Sequence, residues 1–140
     1  MQDGEGYGLR NLKKYIGVPF LDGGRDPSVG LDCWGLFLLV EKEFGISVPD
    51  FTIPCDDAES ISSVFNSETA WRWESVDKPK QGCAVAMALK AKMPGYVQHF
   101  GVYIGRGKFI HTLRGIGSCI SSVNDPAWKK RIKGYYQWAA

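Results

Sequence analysis

At 140 residues, 44% of them hydrophobic and 23% charged, the chain has the length of one domain and enough apolar residues for a sizeable core, which excludes extended disorder. Seventeen basic against 15 acidic residues leave a net charge of +2, too mild to imply a nucleic-acid partner. The longest apolar run, Leu36 to Val40, is far too short to cross a bilayer, so no membrane insertion is expected.

The opening MQDGEGYGLR lacks the basic-then-apolar pattern of a secretory signal, and none is expected. Leu9, Leu12 and Ile16 fall at i, i+3 and i+7 with Arg10, Lys13 and Lys14 between them, which predicts a short amphipathic helix ended by Gly17 and Pro19. FLDGGRDPSVG, from Phe20 to Gly30, reads as a loop. Asp32 is placed to cap the next helix, which Cys33 opens. Trp34, Leu36, Phe37, Leu38, Leu39 and Val40 follow almost without a polar break, so this helix should run through the core. Glu41, Lys42 and Glu43 close it, and Gly45 stands where a C-terminal cap belongs.

A second helix is expected from about Asp57 to Phe65, capped by Asp56 or Asp57, with Trp71 and Trp73 beyond it as packing residues. After KPKQG the texture changes. CAVAMAL, HFGVYIG, KFIHTL, CISSV and IKGYYQW are short, rich in β-branched or aromatic residues and separated by Gly, Pro and Asp, which predicts antiparallel strands. Helices first and strands second imply one compact α+β domain over residues 1–140. Lys129, Lys130, Arg131 and Lys133 read as a solvated face.

Cys33, Cys55, Cys83 and Cys119 show no CxxC spacing and no matching His-x-x-x-His, so no structural zinc site is expected, and without a secretory signal no disulfide framework is expected either. Cys55, Cys83 and Cys119 read as small buried hydrophobes. Cys33 differs by position. A helix N-terminus favours a thiolate, and its N–H groups can hold an oxyanion. The two histidines, His99 and His111, lie on adjacent predicted strands. A two-residue loop at Arg106 and Gly107 would put them on opposite faces. A three-residue loop, Gly105 to Gly107, would pair Ile104 with Lys108 and Gly101 with His111, so that both imidazoles share a face. Cys33, His99 and His111 would then be nucleophile, base and orienter of the base. The same three residues plus a water also match a catalytic zinc pattern. Gly105 to Gly107 is a hairpin and not a phosphate loop.

At these residues the chain resembles the NlpC family of papain-like cysteine peptidases. YIGVPF, the GG and LDCWGL resemble its lead-in and Asp-Cys-x-Gly helix start; KPKQGCAVAM and HFGVYIGRGKFIHT resemble its strand entry and histidine hairpin. GGRDPSVGLDCWGL, EFGISVPDF and DPAWKKRIKGYYQW are similar to a phage-tail branch of cell-wall peptidases and tail-tip assembly proteins.

The resemblance implies a papain-like α+β fold and hydrolysis of an amide bond in the peptidoglycan stem peptide, in many relatives that between γ-D-glutamate and the diamino acid. It implies Cys33 as nucleophile, His99 as base and His111 as its partner, with no cofactor. It also implies that Asp32, Trp34 and Phe20 shape the substrate site. Trp34 and Phe20 stand where the family commonly has Ser and Tyr, which bears on the preference for bond and terminus. Other tail-tip proteins become possible partners, and the virion tail, or the host cytoplasm before assembly, the expected location. A tail-tip scaffold with an idle peptidase fold and a CHAP-type wall amidase stay open as alternatives.

Overall fold

The computed structural model describes residues 12–50, 57, 59–63, 73–89 and 95–138. One long helix, α1 (Cys33–Glu43), packs on a six-stranded antiparallel sheet. The strands are β3 (Trp73–Val76), β4 (Ala84–Met87), β5 (His99–Gly105), β6 (Lys108–Leu113), β7 (Gly117–Ser122) and β8 (Ile132–Trp138), in the order β3-β8-β4-β5-β6-β7. A two-residue pair, β1 (Arg25–Asp26) and β2 (Gly30–Leu31), precedes α1, and a short helix, α2 (Pro126–Lys129), precedes β8. The expected α+β architecture is the observed one.

The core lies between α1 and one face of the sheet. Trp34, Phe37 and Val40 of the helix meet Ala84, Ala86, Phe100, Val102, Ile104 and Ile110 of the strands. Trp34 stacks on Phe37 with ring centroids 4.7 Å apart and meets Phe100 edge-on at 5.1 Å. The opposite face carries a smaller cluster of Val85, Met87 and Phe109, partly covered by Trp128 of α2. Period-2 alternation along β5 therefore divides its side chains as the sequence predicts, with Phe100, Val102 and Ile104 turned toward the helix.

The ends of α1 follow its local chemistry. The Asp32 carboxylate accepts the Gly35 N–H at 2.8 Å, a side-chain N-cap. At the other end Ile46 N–H bonds the Glu41 carbonyl and Gly45 N–H bonds that of Lys42, a Schellman closure with Gly45 at φ +79°.

Several expectations need correction. The segment around Leu12 is one 3-10 turn (Lys13–Tyr15), in which Leu12 and Tyr15 are buried while Ile16 is 41% exposed. The apolar residue that packs is Tyr15, whose hydroxyl donates to Glu43 at 2.9 Å. Phe20 to Gly30 is not a plain loop, because β1 folds back on β2 within it. Trp73 does pack, against Phe37 and Trp138, but as the first residue of a strand the sequence did not suggest. The second helix is described only at residues 59–63, where Asp57 accepts the Ser60 N–H at 3.1 Å; Cys55, Asp56 and Trp71 lie outside the described residues.

Glu41, read from sequence as part of a polar helix end, is fully buried, and among the described residues neither carboxylate oxygen has a hydrogen-bond partner. Burial pushes its pKa well above the ordinary glutamate value. A group whose folded pKa is raised stabilises the fold most below its unfolded pKa and loses that contribution as pH rises. Glu41→Leu is therefore expected to raise unfolding free energy at neutral pH by about 1–3 kcal/mol, the cost of an unpaired buried polar group. Urea titrations at about pH 4.5 and pH 7.5 check this. The gain should be larger at the higher pH, and a less stable variant there would contradict the reading.

Candidate active site

Cys33 is the first residue of α1 and is 7% exposed. Its sulfur lies 3.9 Å from the carbonyl oxygen of Gln98, the residue immediately before His99. The helix start is thus brought to the N-terminal end of β5, where the first histidine stands.

A glycine-rich clamp holds the helix start in place. The Gly23 N–H donates to the second Asp32 carboxylate oxygen at 2.9 Å, and Arg25 reaches the first with Nη1 at 2.8 Å. The Arg25 guanidinium continues to Asp50 through Nε and Nη2 at 3.0 Å. Asp32 is 3% exposed and both its oxygens are bonded within the protein. Small residues make this approach possible. A Cβ on Gly35 would stand 2.1 Å from the Gly24 carbonyl oxygen, and one on Gly24 would stand 2.2 Å from that of Gly30.

The histidines are set by the β5–β6 hairpin. Gly105 pairs with Lys108, so the loop is the two-residue turn Arg106–Gly107, with φ of +55° and +74°. Positive φ at both central residues is the type I′ geometry that suits the twist of a hairpin. Alone this loop would put the histidines on opposite faces. A bulge between Tyr103 and Gly105 shifts the register by one, so that Val102 pairs with Ile110 and Gly101 falls beside His111. Of the two loops the sequence allows, the two-residue one is observed, and the bulge supplies the shared face that the sequence tied to the three-residue loop. Gly101 is needed there, since a Cβ would meet the Phe109 ring at 2.8 Å and His111 Cβ at 3.3 Å.

The two imidazoles are directly bonded. His99 Nε2 lies 2.8 Å from His111 Nδ1, and His111 Nε2 lies 2.8 Å from Ser121 Oγ on β7. His99 is 3% exposed and His111 is fully buried. Trp128 lies over both, its ring near-parallel to His99 at 6.3 Å and edge-on to His111 at 4.7 Å. Burial, with His111 alongside, holds His99 well below the usual histidine range. Burial lowers His111 to about 4. The resting pair is therefore neutral near pH 7, and one nitrogen of each ring is committed to the other. Among the described residues no three His, Cys, Asp or Glu side chains form a metal-holding group.

Of the other sequence candidates, Trp34 is turned into the core between Phe37 and Phe100. Phe20 is partly exposed, with the Arg114 guanidinium 4.9 Å over its ring. Cys83 is a buried free thiol as expected, whereas Cys119 is only half-buried and pairs directly with His111 across β6–β7. Sequence reasoning missed Ser121 and Trp128. Alternation in CISSV was the available signal for Ser121, because it shares a face with Cys119. No local pattern pointed Trp128 at the histidines.

Comparison with known proteins agrees with this geometry. Over 130 residues the chain is 30% identical to the gamma-DL-glutamyl hydrolase of Bacillus subtilis, covering 90% of this chain and 27% of that protein. It is 28% identical to the murein DD-endopeptidase MepH of Escherichia coli over 90% of this chain and 43% of that one. The chain thus spans less than half the length of these two relatives. Among solved structures, the NlpC/p60 domain of the peptidoglycan hydrolase SagA superposes with a TM-score of 0.62 at 26% identity, covering 95% of this chain and 97% of that one. An NlpC/P60 family protein from Bacillus cereus superposes with a TM-score of 0.69 at 22% identity, over 100% of this chain and 42% of that one. The NlpC/P60 family model matches residues 17–137, a stretch that takes in the glycine-rich clamp, the Cys33 helix and the histidine hairpin, and the chain belongs to that family.

Proposed function

We propose that this domain is a cysteine peptidase that hydrolyses an amide bond in the peptide stem of bacterial peptidoglycan. The observation that carries the reading is the buried, mutually bonded His99–His111 pair at the end of β5, with the Cys33 thiol beside the residue that precedes it. The names of the relatives supply the substrate class. In this reading Cys33 Sγ attacks the stem carbonyl while His99 takes the thiol proton, and N–H groups at the start of α1 stabilise the oxyanion. His99 then protonates the leaving amine, and a water activated by His99 releases the acyl group from sulfur.

The γ-D-glutamyl–diamino acid bond is the proposed cleavage point, and masses of fragments released from purified stems test it directly. Fragments ending at another amide would move the assignment, and no fragments from any wall type would overturn the function. Phe20 is proposed to contact the stem, while Asp32 and Trp34 shape the site from beneath, as their burial suggests. A phage-tail setting is part of the proposal on the three resembling segments alone; the relatives named above are bacterial proteins. Detection of the protein in purified tails tests it.

The histidine shifts set the acid limb. Protonation of His99 removes the base, and its lowered pKa moves that loss below the ordinary value of 6.5. A profile of kcat/KM against pH should therefore still be on its plateau at about pH 6.5 and fall only under more acid conditions. A limb centred at or above 6.5 would contradict this. Stability has the same sign: the contribution of neutral His111 is complete above 6.5 and is lost as pH falls toward about 4.

A further inference from the structure

We propose that Ser121 is a positioning residue for the histidine pair, fixing the tautomer of His111 and through it the nitrogen that His99 turns to the Cys33 thiol. The inference rests on the peptidase reading of the site. His99 Nε2 faces His111 Nδ1 at 2.8 Å, and His111 Nε2 faces Ser121 Oγ at 2.8 Å. Each neutral imidazole has one donor and one acceptor nitrogen, so this chain can run in only two directions.

In one direction Ser121 O–H donates to His111 Nε2. His111 Nδ1–H then donates to His99 Nε2, and the His99 proton is forced onto Nδ1. His99 has no nitrogen left to take a proton from the thiol. In the other direction Ser121 Oγ accepts the His111 Nε2–H, His111 Nδ1 accepts the His99 Nε2–H, and His99 Nδ1 is left as the free base. Only the second arrangement is competent.

Ser121 is placed to serve that direction. It stands on β7 beside β6, on the strand face that also carries Cys119 opposite His111, and its Oγ is 2.8 Å from His111 Nε2. The hydroxyl lone pairs can take the His111 Nε2–H, which is otherwise buried, and so the donors run from His99 to His111 to Ser121. When His99 becomes imidazolium, it keeps a charge-assisted bond to His111 Nδ1.

The test uses the full chain and two readouts that need no substrate. The first is the rate of alkylation of Cys33 by iodoacetamide, located by peptide mass so that the other thiols do not interfere. The second is the nitrogen-15 shifts of the His111 ring. In Ser121→Ala alkylation at neutral pH is expected to fall about tenfold, a fraction of the roughly 10²–10⁴-fold that a positioned base contributes. The His111 ring should change from a single Nε2–H tautomer to a mixture. Ser121→Thr, which keeps the hydroxyl and suits a strand, should restore both. Steady-state turnover of Ser121→Ala should lose kcat with little change in KM. Unchanged alkylation and an unchanged tautomer in Ser121→Ala overturn the proposal, as does failure of threonine to rescue. A wild type that cuts no stem peptide, yet shows both Ser121 effects, would defeat the peptidase reading and leave the positioning role standing.

Discussion

Cys33→Ala is expected to abolish release of stem-peptide fragments while leaving the protein folded. Both halves follow from where the residue sits. In the proposed mechanism the sulfur is the nucleophile and His99, at the start of β5, the base; Cys33 Sγ lies 3.9 Å from the carbonyl oxygen of the residue before His99. Losing the nucleophile of a coupled catalytic unit costs at least about a thousandfold in kcat. The fold should tolerate the change. Alanine removes one buried atom, suits the first turn of a helix and leaves the Asp32 cap and the Arg25 clamp untouched. The stability cost should stay at about 1 kcal/mol. Mass spectrometry of digested stems, with a thermal melt of the same sample, reads both halves. A folded variant that still cuts would remove Cys33 from the mechanism and the peptidase proposal with it. A variant that unfolds would instead make Cys33 a packing residue.

Gly35→Ala is expected to be the most damaging of the small substitutions, and its sign depends on comparing two magnitudes. Within an isolated helix alanine is favoured over glycine by about 1 kcal/mol. Here the added Cβ would stand 2.1 Å from the Gly24 carbonyl oxygen, a backbone atom that cannot rotate away. Relieving that overlap means moving the glycine-rich segment off the helix. The bonds of Gly23 and Arg25 to Asp32 would be strained or lost with it. Overpacking at this level costs about 3 kcal/mol or more, which outweighs the propensity gain. Chemical denaturation of the variant should show that loss. Alkylation of Cys33 should also slow, because the clamp that fixes the helix start has moved. A variant as stable as wild type would mean that the clamp contributes nothing.

The sequence by itself determined the elements whose signals are local. HFGVYIG, KFIHTL and IKGYYQW are strands over their full predicted lengths, because alternation of apolar residues between turn residues is a short-range pattern. The helix at Cys33 with its Asp32 cap and the glycine at position 45 were legible for the same reason. For His99 and His111 the sequence left a shared face conditional on a three-residue loop, and the structure supplies it through a two-residue loop and a bulge.

Tertiary structure decided whatever depends on contacts between segments distant along the chain. The bulge that sets the histidine register puts Ile110 on the helix side with Phe100 and Val102 and Phe109 on the other, a burial pattern the turn residues do not encode. Val18 meets Ser118 a hundred residues away, which turns the lead-in into an edge against β7. Glu41 is polar at a position that the helix geometry buries. Asp32, a cap in sequence, is also the anchor of Arg25 and Gly23. Ser121 joins the histidines because β7 lies beside β6, a neighbour relation that no local pattern encodes. Caps and alternation are free-energy differences within a few residues, so they can be read from a stretch of sequence. Register, burial of a lone carboxyl and the far end of a hydrogen-bond chain follow from how the whole sheet and its helix close on one another.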